Sequence, residues 1–114
     1  MTSGLKTIIY PIKDLANARA RFGALLGAEP YIDQAYYVAF SVGGQDVGLD
    51  PNGHARGFTG PVPFWQVDDL DASLQALIDV GSEVVEGAKD VGGGNRIATV
   101  KDPDGNLVGL IQPT

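Results

Sequence analysis

Cysteine is missing from this 114-residue chain, so it has no disulfide framework, no thiolate metal site and no thiol nucleophile. A cysteine-free composition suits a reducing compartment, and the cytoplasm is the expected location. Histidine occurs once, at His54, and no Ser-His-acid arrangement can be assembled around it from sequence. No apolar run approaches the roughly 20 residues of a membrane span, and the stretch Met1-Thr2-Ser3-Gly4-Leu5-Lys6 holds no signal h-region. Basic residues are few. With 8 Lys and Arg against 14 Asp and Glu, the net charge of −6 disfavours nucleic acid and anionic membranes as partners. A small molecule or another protein is expected instead.

Apolar residues make up 44% of the chain, enough for one domain that buries roughly two thirds of its unfolded surface. The 16 glycines and 7 prolines are dispersed, which marks frequent turns rather than a flexible tract. Thr7 to Ile12 is β-branched and aromatic and reads as a strand. Asp14 then stands as an N-cap ahead of an apolar stripe at Leu15, Ala18, Phe22, Leu25 and Leu26, with Gly27 as the αL stop. Short strands are expected at Pro30 to Ile32, Tyr36 to Val42 and Gln45 to Leu49, the last two joined by a Gly43-Gly44 hairpin turn. Pro51 to Gly57 is rich in breakers and reads as a connection.

The same order then repeats. Val62 to Val67 is a strand, Asp69 an N-cap, Leu70, Leu74, Leu77 and Ile78 a stripe, and Gly81 a stop. Ile12-Lys13-Asp14-Leu15 is matched by Val67-Asp68-Asp69-Leu70 at the two helix starts. Strands follow at Glu83 to Glu86, Arg96 to Lys101 and Leu107 to Ile111, with Asp102-Pro103-Asp104-Gly105-Asn106 as the last tight turn. Two copies are too few to stack as a solenoid, so they are expected to pair their sheets around a shared interior. The reading is α+β: one domain over 1–114 with tandem βαβββ modules at about 5–52 and 60–112, a cup-shaped mixed sheet and helices outside.

The V/I-x-D-L helix starts, Leu25-Leu26-Gly27 and above all Asp102-Pro103-Asp104-Gly105-Asn106 resemble the vicinal oxygen chelate superfamily of glyoxalases, bleomycin-resistance proteins and dihydroxybiphenyl-type dioxygenases. The resemblance runs from about Thr7 to Gln112. In that family's metal enzymes, four His or Glu ligands point into the cup from the first and last strands of each half. The resemblance aligns Thr7, Gly48, Val62 and Gly109 with them, none of which coordinates metal. It therefore implies no metal and no cofactor, and argues against metal-dependent glyoxalase or dioxygenase activity. What it leaves is a homodimeric, non-catalytic protein that binds a small molecule, such as an antibiotic, in the cup.

Strand alternation adds Ile9 beside Thr7, Asp46 and Asp50 beside Gly48, Phe64 and Gln66 beside Val62, and Leu107 and Ile111 beside Gly109. The expected ligand-binding set is Thr7, Ile9, Asp46, Gly48, Asp50, Val62, Phe64, Gln66 and Gly109. The two glycines would leave volume for a flat ligand, whereas Trp65, opposite to Phe64, is expected to pack in the core. Two alternatives stand beside this one: a metal-independent isomerase or lyase using Asp50 or His54 as acid/base, and an interaction module whose cup is filled. Gly92-Gly93-Gly94 lacks the following helix of a phosphate loop and reads as a flexible lip. Arg96 reads as half of a surface ion pair.

Overall fold

A computed structural model of the protein describes residues 2–113. They form eight strands and two helices: β1 (Thr2–Pro11), α1 (Leu15–Leu26), β2 (Ile32–Gln34), β3 (Tyr37–Val42), β4 (Gln45–Asp50), β5 (Val62–Val67), α2 (Leu70–Asp79), β6 (Glu83–Asp90), β7 (Arg96–Lys101) and β8 (Leu107–Gln112). The chain divides into two compact units, one of residues 7–61 and one of residues 2–6 with 62–113. Strand β1 thus begins in the second unit and ends in the first. It also starts five residues before the expected Thr7, because Thr2-Ser3-Gly4-Leu5-Lys6 shows no alternation and takes its strand form from the ladder it joins.

In the first unit the strand order is β2-β3-β4-β1, mixed in sense: β1 runs parallel to β4 and the other pairs are antiparallel. Gly43 and Gly44 both adopt positive φ (58° and 80°), as a two-residue hairpin turn demands. Helix α1 opens where the Asp14 carboxylate accepts from the Asn17 amide and closes on Gly27 at φ 63°. It covers one sheet face through Leu15, Ala18, Phe22 and Leu26, which pack on Val38, Phe40 and Leu49. Leu25 departs from the expected stripe: it lies at the stripe's edge in the last turn and is 75% exposed.

In the second unit the order is β1-β5-β8-β7-β6, again mixed, with β5 parallel to β8. Asp69 caps α2 by accepting from the Ala72 amide, and the Gln112 side-chain carbonyl accepts from the Leu70 amide, so the helix start is tied to β8. Leu70 packs with Val67, Ala98 and Leu110, and Trp65, Leu74 and Leu77 close the cluster. Trp65 is therefore core packing, as expected; Ile78 faces outward. The Asp102 turn is held by its own carboxylate, which accepts from the Asp104 and Asn106 amides and from the Asn106 side chain. Strand β6 runs to Asp90, beyond the expected Glu86, because two register shifts within it destroy the alternation a sequence reading needs. No helix among the described residues is long and apolar enough to cross a membrane.

Candidate functional site

In each unit one sheet face is committed to the helix, which leaves the other face for chemistry. In the first unit the register pairs Thr7 with Asp46 and Ile9 with Gly48 across β1 and β4, and Gly48 with Ala39 across β4 and β3. Their side chains therefore share the face turned away from α1. Asp50 and Tyr37 belong to the same face, one residue pair along. In the second unit Phe64 pairs with Gly109, Gln66 with Ile111 and Thr99 with Gly109, opposite to the α2 face of Val67, Ala98 and Leu110. The expected residues thus fall into two sets, Thr7, Ile9, Asp46, Gly48 and Asp50 in one unit and Val62, Phe64, Gln66 and Gly109 in the other. All are buried except Asp46 and Gln66, which are half-buried.

The glycines do not leave open volume, contrary to expectation. A Cβ built on Gly48 would run into the Tyr37 hydroxyl, with the Tyr37 Cζ at 2.7 Å, so that ring lies across the glycine. A Cβ on Gly109 would stand 2.6 Å from both Cγ and Cε1 of Phe64, whose ring occupies the space over the glycine. Both glycines are needed because an aromatic side chain from an adjacent strand occupies the space that their own side chain would fill. The sequence signal was present in the glycines themselves, but which neighbour covers them depends on rotamers that only packing decides.

Around Tyr37 the first unit gathers its polar groups. The Tyr31 hydroxyl donates to Asp46 at 3.3 Å. Asp50, 5% exposed, accepts from the Asn52 amide at 2.8 Å and is bridged by Arg56 at 2.7 Å. The Arg56 guanidinium in turn lies over the Phe58 ring, 4.5 Å from its centroid. Burial, reinforced by the negative charges of its neighbours, raises the pKa of the Tyr37 phenol well above its ordinary value, so it stays protonated at neutral pH. Asp50 holds Arg56 and the loop amide, which leaves it badly placed to act as a free base. His54 lies exposed in the same turn. Sequence reasoning missed Arg56, because the connection from Pro51 to Gly57 has no periodicity although it folds into a turn closed by the Phe58 amide on the Gly53 carbonyl.

The face of the second unit is mainly apolar, with Gln66 and Thr99 as its polar side chains. The Thr99 hydroxyl is buried and has no hydrogen-bond partner. Arg96 makes two 3.1 Å bonds to Asp71 on the surface, as an exposed ion pair. Gly92, Gly93 and Gly94 all take positive φ in the β6–β7 turn, which the Val91 amide closes on the Asn95 carbonyl. Two further hollows lie apart from these faces: one of about 350 Å³ beside the end of α1, and an apolar one of about 410 Å³ between α2 and strands β5 and β8.

A model of the Glyoxalase/Bleomycin resistance protein/Dioxygenase superfamily matches residues 4–110. The chain belongs to this superfamily. No curated protein matches its sequence significantly. Among solved structures, the methylmalonyl-CoA epimerase from Mycobacterium tuberculosis superposes with a TM-score of 0.71 at 22% identity, covering 99% of this chain and 89% of that one. A superfamily member from Vibrio splendidus 12B01 gives 0.73 at 20% identity over 96% and 99% of the two chains. The Mn(II)-bound glyoxalase from Novosphingobium aromaticivorans gives 0.72 at 19% identity over 97% of this chain and 39% of that one. At such identities the likeness establishes the fold, and the differing names of these structures fix no reaction for this member of the superfamily.

The superfamily includes metal enzymes, so the donor set is a direct test. Thr7, Gly48, Val62 and Gly109 supply no carboxylate or imidazole, and aromatic rings cover both glycines. Among the described residues no group of three or more His, Cys, Asp or Glu side chains is placed to hold a metal ion. The residues at these positions do not fit a bound divalent ion.

Proposed function

We propose that this superfamily member binds a small organic molecule without a metal on one of two sheet faces, the one that carries Thr7, Ile9, Asp46, Gly48 and Asp50 or the one that carries Val62, Phe64, Gln66 and Gly109. One observation carries the reading: at the positions aligned with metal ligands, the glycines carry aromatic rings instead of donors. Phe64 is itself fully buried, so an occupant takes the place of such a ring, which suits a planar, polarisable ligand. Polar groups supply orientation: Tyr31 and Asp46 on the face of the first unit and Gln66 on that of the second. Asp50 and His54 are not given catalytic roles, since one is held by Arg56 and the other is exposed.

A second reading has an observation of its own. The rings of Tyr37 and Phe64 fill the space over the glycines, as in an interaction module with packed faces. A thermal-shift screen of the metal-stripped protein separates the two, run with divalent ions and with planar organic molecules. A bound ligand at ~100 Kd stabilises the native state by about 2.7 kcal/mol, which moves the midpoint by several degrees. Shifts with organic molecules and none with metal are expected. A shift with metal alone, or turnover of a glyoxal hemithioacetal in nickel or zinc, overturns the proposal, and a screen with no shift at all favours the packed module. A homodimer is part of the proposal, with sedimentation velocity as its check.

A further inference from the structure

Thr99 is the one buried side chain of the described residues whose polar atom finds no partner. It is fully buried on β7 and stands directly across from Gly109 on β8, which stands across from Phe64 on β5. The three positions form one row on the face turned away from α2, and the Phe64 ring occupies the space over the middle one. A packed core has no use for a hydroxyl here. Valine has the same shape, keeps the same contacts and leaves nothing unsatisfied, so a buried lone hydroxyl carries a cost without any packing return.

We propose that this row is a closed binding site for a monocyclic phenol, with Phe64 as its lid and Thr99 as its anchor. The ligand ring takes the place of the Phe64 ring on the Gly109 backbone, so the apolar area buried on the glycine is conserved in the exchange. The phenolic oxygen then reaches the Thr99 hydroxyl, which donates to it or accepts from it, and the unpaired group gains its partner. Phe64 leaves by rotation about its side-chain bonds, an option that the absence of a Cβ on Gly109 permits in both states. The inference rests on the proposal of metal-free small-molecule binding and narrows it to one row of one unit and one ligand class.

The test titrates the full-length protein with phenol and, separately, with toluene, which has the same shape and no hydroxyl. The Thr99 methyl group is followed by NMR. Phenol is expected to shift the Thr99 methyl and the Gly109 amide and to bind about tenfold more tightly than toluene, the worth of one added hydrogen bond. Thr99→Val should keep toluene binding and abolish the preference for phenol, and Thr99→Ser should restore it. Phe64→Ala should tighten phenol binding, with Phe64→Leu as the milder variant if the alanine form is unstable. Phenol binding with the Thr99 methyl unmoved, or a preference that survives Thr99→Val, overturns the anchor while leaving metal-free binding intact. Absence of phenol binding both to the parent and to the Phe64 variants overturns the site. If, in addition, no organic molecule of the thermal-shift panel binds, the broader reading falls with it.

Discussion

Tyr37 couples the polar edge of the first unit to its packed face. Its hydroxyl lies over Gly48 and its neighbours are acidic, so folding favours the neutral phenol and raises its pKa above the ordinary 10.0. Between the two values the folded state holds a proton that the unfolded state has lost, so the stabilisation is complete below about pH 10 and is lost as pH rises through the raised value. Thermal midpoints should therefore stay level up to about pH 10 and fall beyond it. Tyr37→Phe should flatten that alkaline fall, and an unchanged profile would remove Tyr37 from the account. At the neighbouring ion pair, Arg56→Met strands the Asp50 carboxylate, 5% exposed, and should cost roughly 2–4 kcal/mol in urea unfolding. Gly109→Ala meets the Phe64 ring rather than a flexible chain end, so a loss of roughly 1–3 kcal/mol is expected. A neutral outcome would mean that the ring leaves the glycine easily.

Several elements announce themselves through residues whose roles are local. Asp14 and Asp69 each cap a helix with a single side-chain bond, Gly27 turns α1 off in the left-handed region, and the Asp102 carboxylate closes its own turn. These features were legible because a cap, a stop or a tight turn requires a particular residue type within a few positions. Asp14→Ala is accordingly expected to cost about 1 kcal/mol by chemical denaturation. What stayed hidden depends on distant partners. Residues 2–6 become strand only against a ladder; β6 loses its alternation to bulges; and the side chains that would cover Gly48 and Gly109 could not be read from strand spacing, which gives a residue's face but not its rotamer. The candidate site was legible to the same degree: alternation grouped Thr7, Asp46 and Gly48 on one face and Phe64 and Gly109 on another, as the registers do, but missed Arg56 and Thr99, which share no motif with them.

For the molecule as a whole, superfamily membership sets the fold and leaves the chemistry to the side chains on two sheet faces. Their composition makes a forecast about the entire protein: chelation should be without consequence. Prolonged EDTA treatment is expected to leave the melting temperature and any organic-ligand affinity unchanged, and a drop in either would reveal a structural or binding metal. The two compact units make a second. Deleting residues 2–6 should weaken amide protection first in β5 and β8, within the unit that those residues join, whereas α1 and β3 should be less affected.

The path of β1 through both units also sets an order of events during synthesis. Residues 7–61 include the β2–β3, β3–β4 and β1–β4 pairings and can close on themselves as they leave the ribosome. Residues 2–6, made before any of them, belong with a segment that begins at Val62, where the Thr2 hydroxyl donates to the Gln66 carbonyl at 2.7 Å. These residues therefore wait for their partners until Val62 and the strand it opens have been translated, and an exposed strand edge during that interval is where crowding with other nascent chains would do most harm.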